Sequence, residues 1–212
     1  MEIDVWSVVH AERAALVRDL ETLSPEQWEM PSLCDGWTVH DVVAHLVDTA
    51  RTTRVGFVLG LARARFDFDR QNAVGVARHR GDNPAETLAR LRAVATRTST
   101  PPAPLVSRIV EEVVHGEDVR RPLGLRRDYP ADAVEEALRL QVRTSASFGG
   151  ARELVAAVRL AATDADVTIG KGPEVTGPLL SLLLAVSGRT VALEDLSGPG
   201  LPALTAALGR RA

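Results

Sequence analysis

The chain has 212 residues, 45% of them hydrophobic, with a formal net charge of −3. That length and composition support one large or two small folded domains and exclude a disordered chain. The charge gives no global basic field to recruit nucleic acid, and a single cysteine, Cys34, excludes an internal disulfide.

From the N-terminus, residues 2–23 read as a helix, with Val5, Val8, Val9, Ala15, Leu16, Leu20 and Leu23 at three- and four-residue steps. Ser24-Pro25 ends it, and Trp28 to Gly36 reads as a loop punctuated by Pro31 and Gly36. Thr38 is a helix cap with Asp41 at the third helical position, a variant of the capping box. The helix it opens is expected to run to about Phe66, roughly 42 Å at about 1.5 Å per residue. Asp69 to Gly81 is polar and expected to be a loop.

Asn83-Pro84-Ala85-Glu86 starts a helix that runs to about Thr98. After Pro101, Pro102 and Pro104, a helix is expected from Leu105 to about Arg120, ending at Pro122 and Gly124. Another runs from Ala131 to about Ser147. Beyond Gly149-Gly150, residues 155–160, 166–169 and 190–193 read as short strands, 176–186 as an apolar helix and 201–208 as a last short helix. The expectation is a mainly α protein: a helical bundle over residues 1–150, then a small α/β segment over 151–212. The longest apolar run, Leu179 to Val186, is far short of a membrane helix. With neither signal peptide nor disulfide, a cytoplasmic protein is expected. An abundance of arginine, with Lys171 the only lysine, suggests a GC-rich bacterial genome.

Two segments carry the chemistry. Cys34 to Leu46 places His45 inside the capped helix, and Glu111 to Gly124 places Glu111 and His115 four residues apart on another. Carboxylate and imidazole on one helix face suit zinc and several first-row metals. If the helices are neighbours, His45, Glu111 and His115 can converge on one divalent metal and leave a coordination position open. On spacing alone a Glu-x-x-x-His pair is more often a solvated helix surface. By helix-face arithmetic all three lie off the centre of the apolar stripes, at the edge of a cleft or in water. His40 lies on a different helix face from His45.

Gly36-Trp37-Thr38-Val39, followed later by Glu111-x-x-x-His115-Gly116-Glu117-Asp118, resembles the mycothiol-dependent maleylpyruvate isomerase family of actinobacteria. The resemblance covers most of residues 5–150. It extends weakly to Gly170-Lys171-Gly172-Pro173 and Ser187-Gly188-Arg189. It implies a DinB-like, metal-binding four-helix bundle with His45, Glu111 and His115 as ligands. It further implies a divalent metal, zinc, and mycothiol as co-substrate, acting on an electrophilic small molecule as an isomerase or S-transferase. The metal would keep a coordinated thiol deprotonated, and the thiolate is the nucleophile. The C-terminal part is shorter than the resemblance leads one to expect.

The catalytic residues are not legible from the sequence, although Arg189 is a candidate for clamping a substrate carboxylate. Cys34 is expected to pack beneath the loop, with no histidine clearly paired to it. Glu117, Asp118, Arg120 and Arg121 read as a solvated charge run, with Asp118 also able to hydrogen-bond a ligand histidine. The alternative function is a non-catalytic ligand-binding or interaction module on the same fold. Neither a nucleic-acid nor a membrane partner is expected, there being no helix-turn-helix signature or basic face.

Overall fold

The computed structural model describes residues 3–210. They form two compact units that divide between Asp128 and Tyr129. In the N-terminal unit, α1 (Val5–Leu20) starts where the Asp4 carboxylate accepts from the backbone of Trp6 and Ser7. A single-turn helix, α2 (Pro25–Trp28), follows under a capping box from Ser24 and Gln27. Thr38 and Asp41 form the expected capping box of α3 (Val39–Arg51), and Asn83 caps α6 (Pro84–Val94) through the Glu86 amide. With α7 (Ser107–Arg120), these helices close a ring of four. α1 packs on α6 and α7, and α3 packs on the same two. Leu16, Leu20, Val39, Val43, Leu46, Leu91 and Val119 fill the middle.

Two expectations fail between residues 52 and 81. The long helix to Phe66 breaks at Thr52, whose backbone is extended, and Thr53 caps a separate α4 (Arg54–Arg63) through the Gly56 amide. α4 buries none of its residues and leaves Val55 and Val58 largely exposed, so no core face holds it in line with α3. The expected loop at 69–81 is helix α5 (Phe68–His79), capped by Asp67. α5 buries only Gly75 and Val76, which is why its sequence shows no apolar period. Arg65 and Phe66 turn the chain from α4 to α5 with φ of +60° and +64°, a conformation uncommon outside glycine.

The expected solvated charge run on α7 is also corrected. Glu117, Asp118 and Arg120 are buried, because this end of α7 faces α1 and the 31–37 loop rather than water. The Arg120 Nε donates to Asp19 Oδ2 at 2.7 Å, and the fully buried Arg13 donates from Nε to Glu112 Oε1 at 2.7 Å. The α1–α7 seam is therefore ionic as well as apolar.

In the C-terminal unit, α8 (Ala131–Gln141) packs on α9 (Leu179–Val186), which places the division upstream of the residue-150 boundary expected from the sequence. β1 (Arg159–Ala162) lies between β2 (Thr168–Gly170), antiparallel to it, and β3 (Glu174–Gly177), parallel to it. The expected helix from Thr176 starts only after Pro178, whose ring keeps Gly177 extended in β3. The expected strand at 190–193 is a 3₁₀ helix, Thr190–Asp195, in which Ala192 alone is buried. An alternating inward face, which a strand would need, is absent there. α10 (Leu201–Gly209) closes the unit. The architecture is thus mainly helical with a small three-stranded mixed sheet. Among the described residues no helix is long and apolar enough to cross a membrane.

Candidate metal centre

The site is built from α3, α7 and the loop between α2 and α3. The loop is closed by Ser32 N–H to Trp37 O at 2.9 Å and Trp37 N–H to Cys34 O at 3.0 Å. Gly36 turns it with φ +74°, which a side chain would oppose. Its Leu33 amide donates to the Asp118 carbonyl at 3.2 Å, which fastens the loop to α7. Trp37 then lies against His45, ring centroids 5.1 Å apart, and His45 meets the His115 ring edge-on at 4.8 Å.

The ring of four helices brings together His45, Glu111 and His115. His45 Nε2 lies 2.9 Å from Glu111 Oε1, and His115 Nε2 lies 3.6 Å from the same oxygen. One ligand atom from each falls within 4.8 Å of the others. In a tetrahedral zinc site with ligand distances of about 2.0–2.1 Å, neighbouring ligand atoms stand about 3.3 Å apart. Two separations fall on either side of that value and the third pair lies within 4.8 Å, so the donor set fits such an ion in kind. The side chains of Glu111 and His115 retain 19% and 17% of their exposure, against 7% for His45. The group therefore opens on one side, as a site that admits a fourth ligand must.

Charge is arranged around it. Burial opposes ionisation of Glu111, but the hydrogen bond with His45 and the charges of His115 and Arg108 hold its carboxyl well below its ordinary 4.5. Burial also opposes a charge on His115. Hydrogen bonds to Asp118 and Cys34, with the Glu111 carboxylate, override it and push His115 up to about 10. Two carboxylates thus favour positive charge at the position between them. Asp118 is fully buried and its Oδ2 lies 2.8 Å from His115 Nδ1. That contact holds the ring with Nδ1 on Asp118 and Nε2 facing Glu111, so Nε2 is the nitrogen that would give up its proton to bind a metal. Among the described residues His45 Nδ1 has no hydrogen-bond partner, so the Nε2 contact with Glu111 and packing against Trp37 and His115 orient that ring.

Cys34 departs from its sequence reading. Its thiol donates to Asp118 Oδ2 at 3.0 Å and lies 3.7 Å from His115 Nδ1, so a histidine is in fact beside it. Cys34, His115 and Asp118 form a second close group sharing His115 with the first. Spacing gave no signal of this, because 81 residues separate Cys34 from His115 and only the loop's anchorage to α7 joins them. His40 points elsewhere, with Nε2 2.7 Å from Thr87 Oγ1. Arg189 belongs to the C-terminal unit, where its guanidinium donates to the Ser187 carbonyl at 2.5 Å.

Residues 9–103 match the profile of the mycothiol maleylpyruvate isomerase N-terminal domain. His45 lies inside that span, while Glu111 and His115 lie beyond it. Comparison with curated proteins finds no match. Two crystal structures share the fold: the mycothiol-dependent maleylpyruvate isomerase and a histidine-to-alanine variant of it. Each aligns at 16% identity with a TM-score of 0.62 over 92% of both chains.

Proposed function

We propose that His45, Glu111 and His115 hold a divalent metal, zinc, a reading supported by their convergence and by the match of residues 9–103 to the mycothiol maleylpyruvate isomerase N-terminal domain. On this reading the chain is an isomerase or S-transferase that uses a low-molecular-weight thiol, mycothiol, against an electrophilic small molecule. The observation that carries the reading is the convergence of two imidazole nitrogens and one carboxylate, open on one side. A metal bound there supplies the charge that keeps a coordinated thiol deprotonated at neutral pH.

The chain's own residues do the rest. Asp118 holds His115 in the tautomer that presents Nε2, and Cys34 holds Asp118 by a second hydrogen bond. Glu111 contributes the negative charge of the ligand set. The mycothiol sulfur adds to a conjugated double bond of the substrate. Rotation about the resulting single bond and loss of the thiolate give the isomer, whereas protonation of the adduct's carbanion with the C–S bond kept, or displacement of a halide by the thiolate, gives the transferase product. A cytoplasmic setting accords with dependence on an intracellular thiol.

The test is turnover by the full chain with mycothiol and two electrophiles, maleylpyruvate and a haloalkyl bimane. Thiol-dependent turnover that is abolished by chelation and restored by zinc is the expected result. Stoichiometric zinc with no turnover of either electrophile, but saturable mycothiol binding, would instead establish a ligand-binding module.

A further inference from the structure

A second feature of the N-terminal unit lies outside the metal-ligand cluster. A cavity of about 340 Å³ opens between α3, α4 and α5, and none of His45, Glu111 or His115 lines it. Its charge is one-sided. Arg51, Arg63, Arg70 and Arg78 border it against a single carboxylate, Asp48. That carboxylate already faces His79 Nε2 at 3.4 Å. Among the described residues none of the four guanidiniums has an ion-pair partner. Like charges gathered around one concavity raise the local concentration of anions, and each planar guanidinium presents a fork that matches carboxylate or phosphate oxygens.

The floor is built rather than incidental. A Cβ at Gly75 would collide with the Asp48 carboxylate where it now lies, so a larger residue there would displace that side chain. A Cβ at Gly60 would stand 3.1 Å from Gln71 Nε2. Gln71 in turn donates from Nε2 to the Phe57 carbonyl at 3.4 Å, and among the described residues its buried Oε1 meets no donor. A buried acceptor without a donor is unfavourable, and a hydroxyl placed beside it would relieve that cost. The cavity therefore offers several cationic forks and one unsatisfied acceptor.

We propose that this cavity binds a small organic anion with at least two carboxylate or phosphate groups and a hydroxyl that donates to Gln71. The site is independent of the metal reading and stands or falls without it.

Titration calorimetry on the full chain at constant ionic strength tests the proposal, with citrate and fructose 1,6-bisphosphate as probes of the two sources of anionic oxygen. Acetate and tricarballylate, which is citrate without its hydroxyl, serve as comparisons. At least one of the two probes is expected to bind at one equivalent, and acetate is not. The exposed pair Arg63→Gln/Arg78→Gln is expected to weaken that probe at least tenfold. If citrate is the one that binds, tricarballylate binds more weakly, and Gln71→Met removes the difference between them. His45→Ala is expected to leave binding unchanged, which separates the cavity from chelation at the metal cluster. Failure of both probes, or affinity unaltered by the arginine pair, would overturn the proposal. So would loss of binding in His45→Ala, or binding to anionic phospholipid vesicles alone.

Discussion

Replacing Asp118 by asparagine probes how the cluster is held in shape. The carboxylate is fully buried, and its Oδ2 meets both His115 Nδ1 at 2.8 Å and Cys34 Sγ at 3.0 Å. Asparagine keeps the volume, and its amide oxygen can accept the same two bonds, so the fold should survive. What is lost is the charge. A hydrogen bond to a charged group contributes about 1.5–3 kcal/mol and a neutral one about 0.5–1.5, so the difference is about 1–2 kcal/mol. Removing an outer partner of a metal-ligating histidine weakens metal binding by about 10- to 100-fold, or about 1.4–2.7 kcal/mol. The two estimates overlap, and a loss of at least about tenfold in zinc affinity is expected. Competition against a chromophoric chelator measures it, with thermal unfolding as the control for folding. Cys34→Ser, whose hydroxyl still donates to Asp118, should change affinity by less than about threefold. A folded Asp118→Asn protein with zinc affinity within twofold of wild type would refute the reasoning.

Three further outcomes follow from the N-terminal unit. Arg13→Met leaves Glu112 buried without its partner and should destabilise the protein by about 3–5 kcal/mol in urea unfolding, whereas Arg13→Met/Glu112→Leu should recover most of that loss. Thr38→Ala removes the cap that starts α3 and should cost about 1 kcal/mol in the same assay; no loss would mean the capping box contributes little. His40 sits below its ordinary 6.5, first because burial penalises the imidazolium and then because Arg80 is near. The unfolded chain therefore takes up the proton first. The advantage of wild type over His40→Gln is fully present above pH 6.5 and declines as the pH falls below it. Urea unfolding at about pH 7.5 and about pH 5.5 checks this, and a flat or reversed difference counts against it.

The parts of the fold that could be read from the sequence are those fixed by local chemistry. Thr38 with Asp41 and Asn83 with Pro84 announce helix starts because they satisfy amides in the next turn, and both caps form as expected. The Thr52–Thr53 break was hidden, because apolar residues continue into α4 although none of them is buried. α5 was hidden for the opposite reason: its polar sequence conceals a helix that buries only Gly75 and Val76. The grouping of His45, Glu111 and His115 was legible as a candidate, since two are linked by helical spacing and the third joins them if the two helices are neighbours, as they are. Helix-face arithmetic left the three at a cleft edge or in water; Glu111 and His115 are partly exposed, but His45 is buried. The Cys34–Asp118 hydrogen bond could not be foreseen. It depends on a loop that crosses to α7 through one backbone hydrogen bond from Leu33, which no local pattern encodes.

The central claim is that one divalent ion is held by His45, Glu111 and His115. Elemental analysis of the purified protein, alongside His45→Ala, Glu111→Ala and His115→Ala, tests it most directly, with circular dichroism confirming that each variant is folded. The account predicts one equivalent of metal in the wild type and loss of that metal in every folded variant. Stoichiometric metal retained in all three would contradict it.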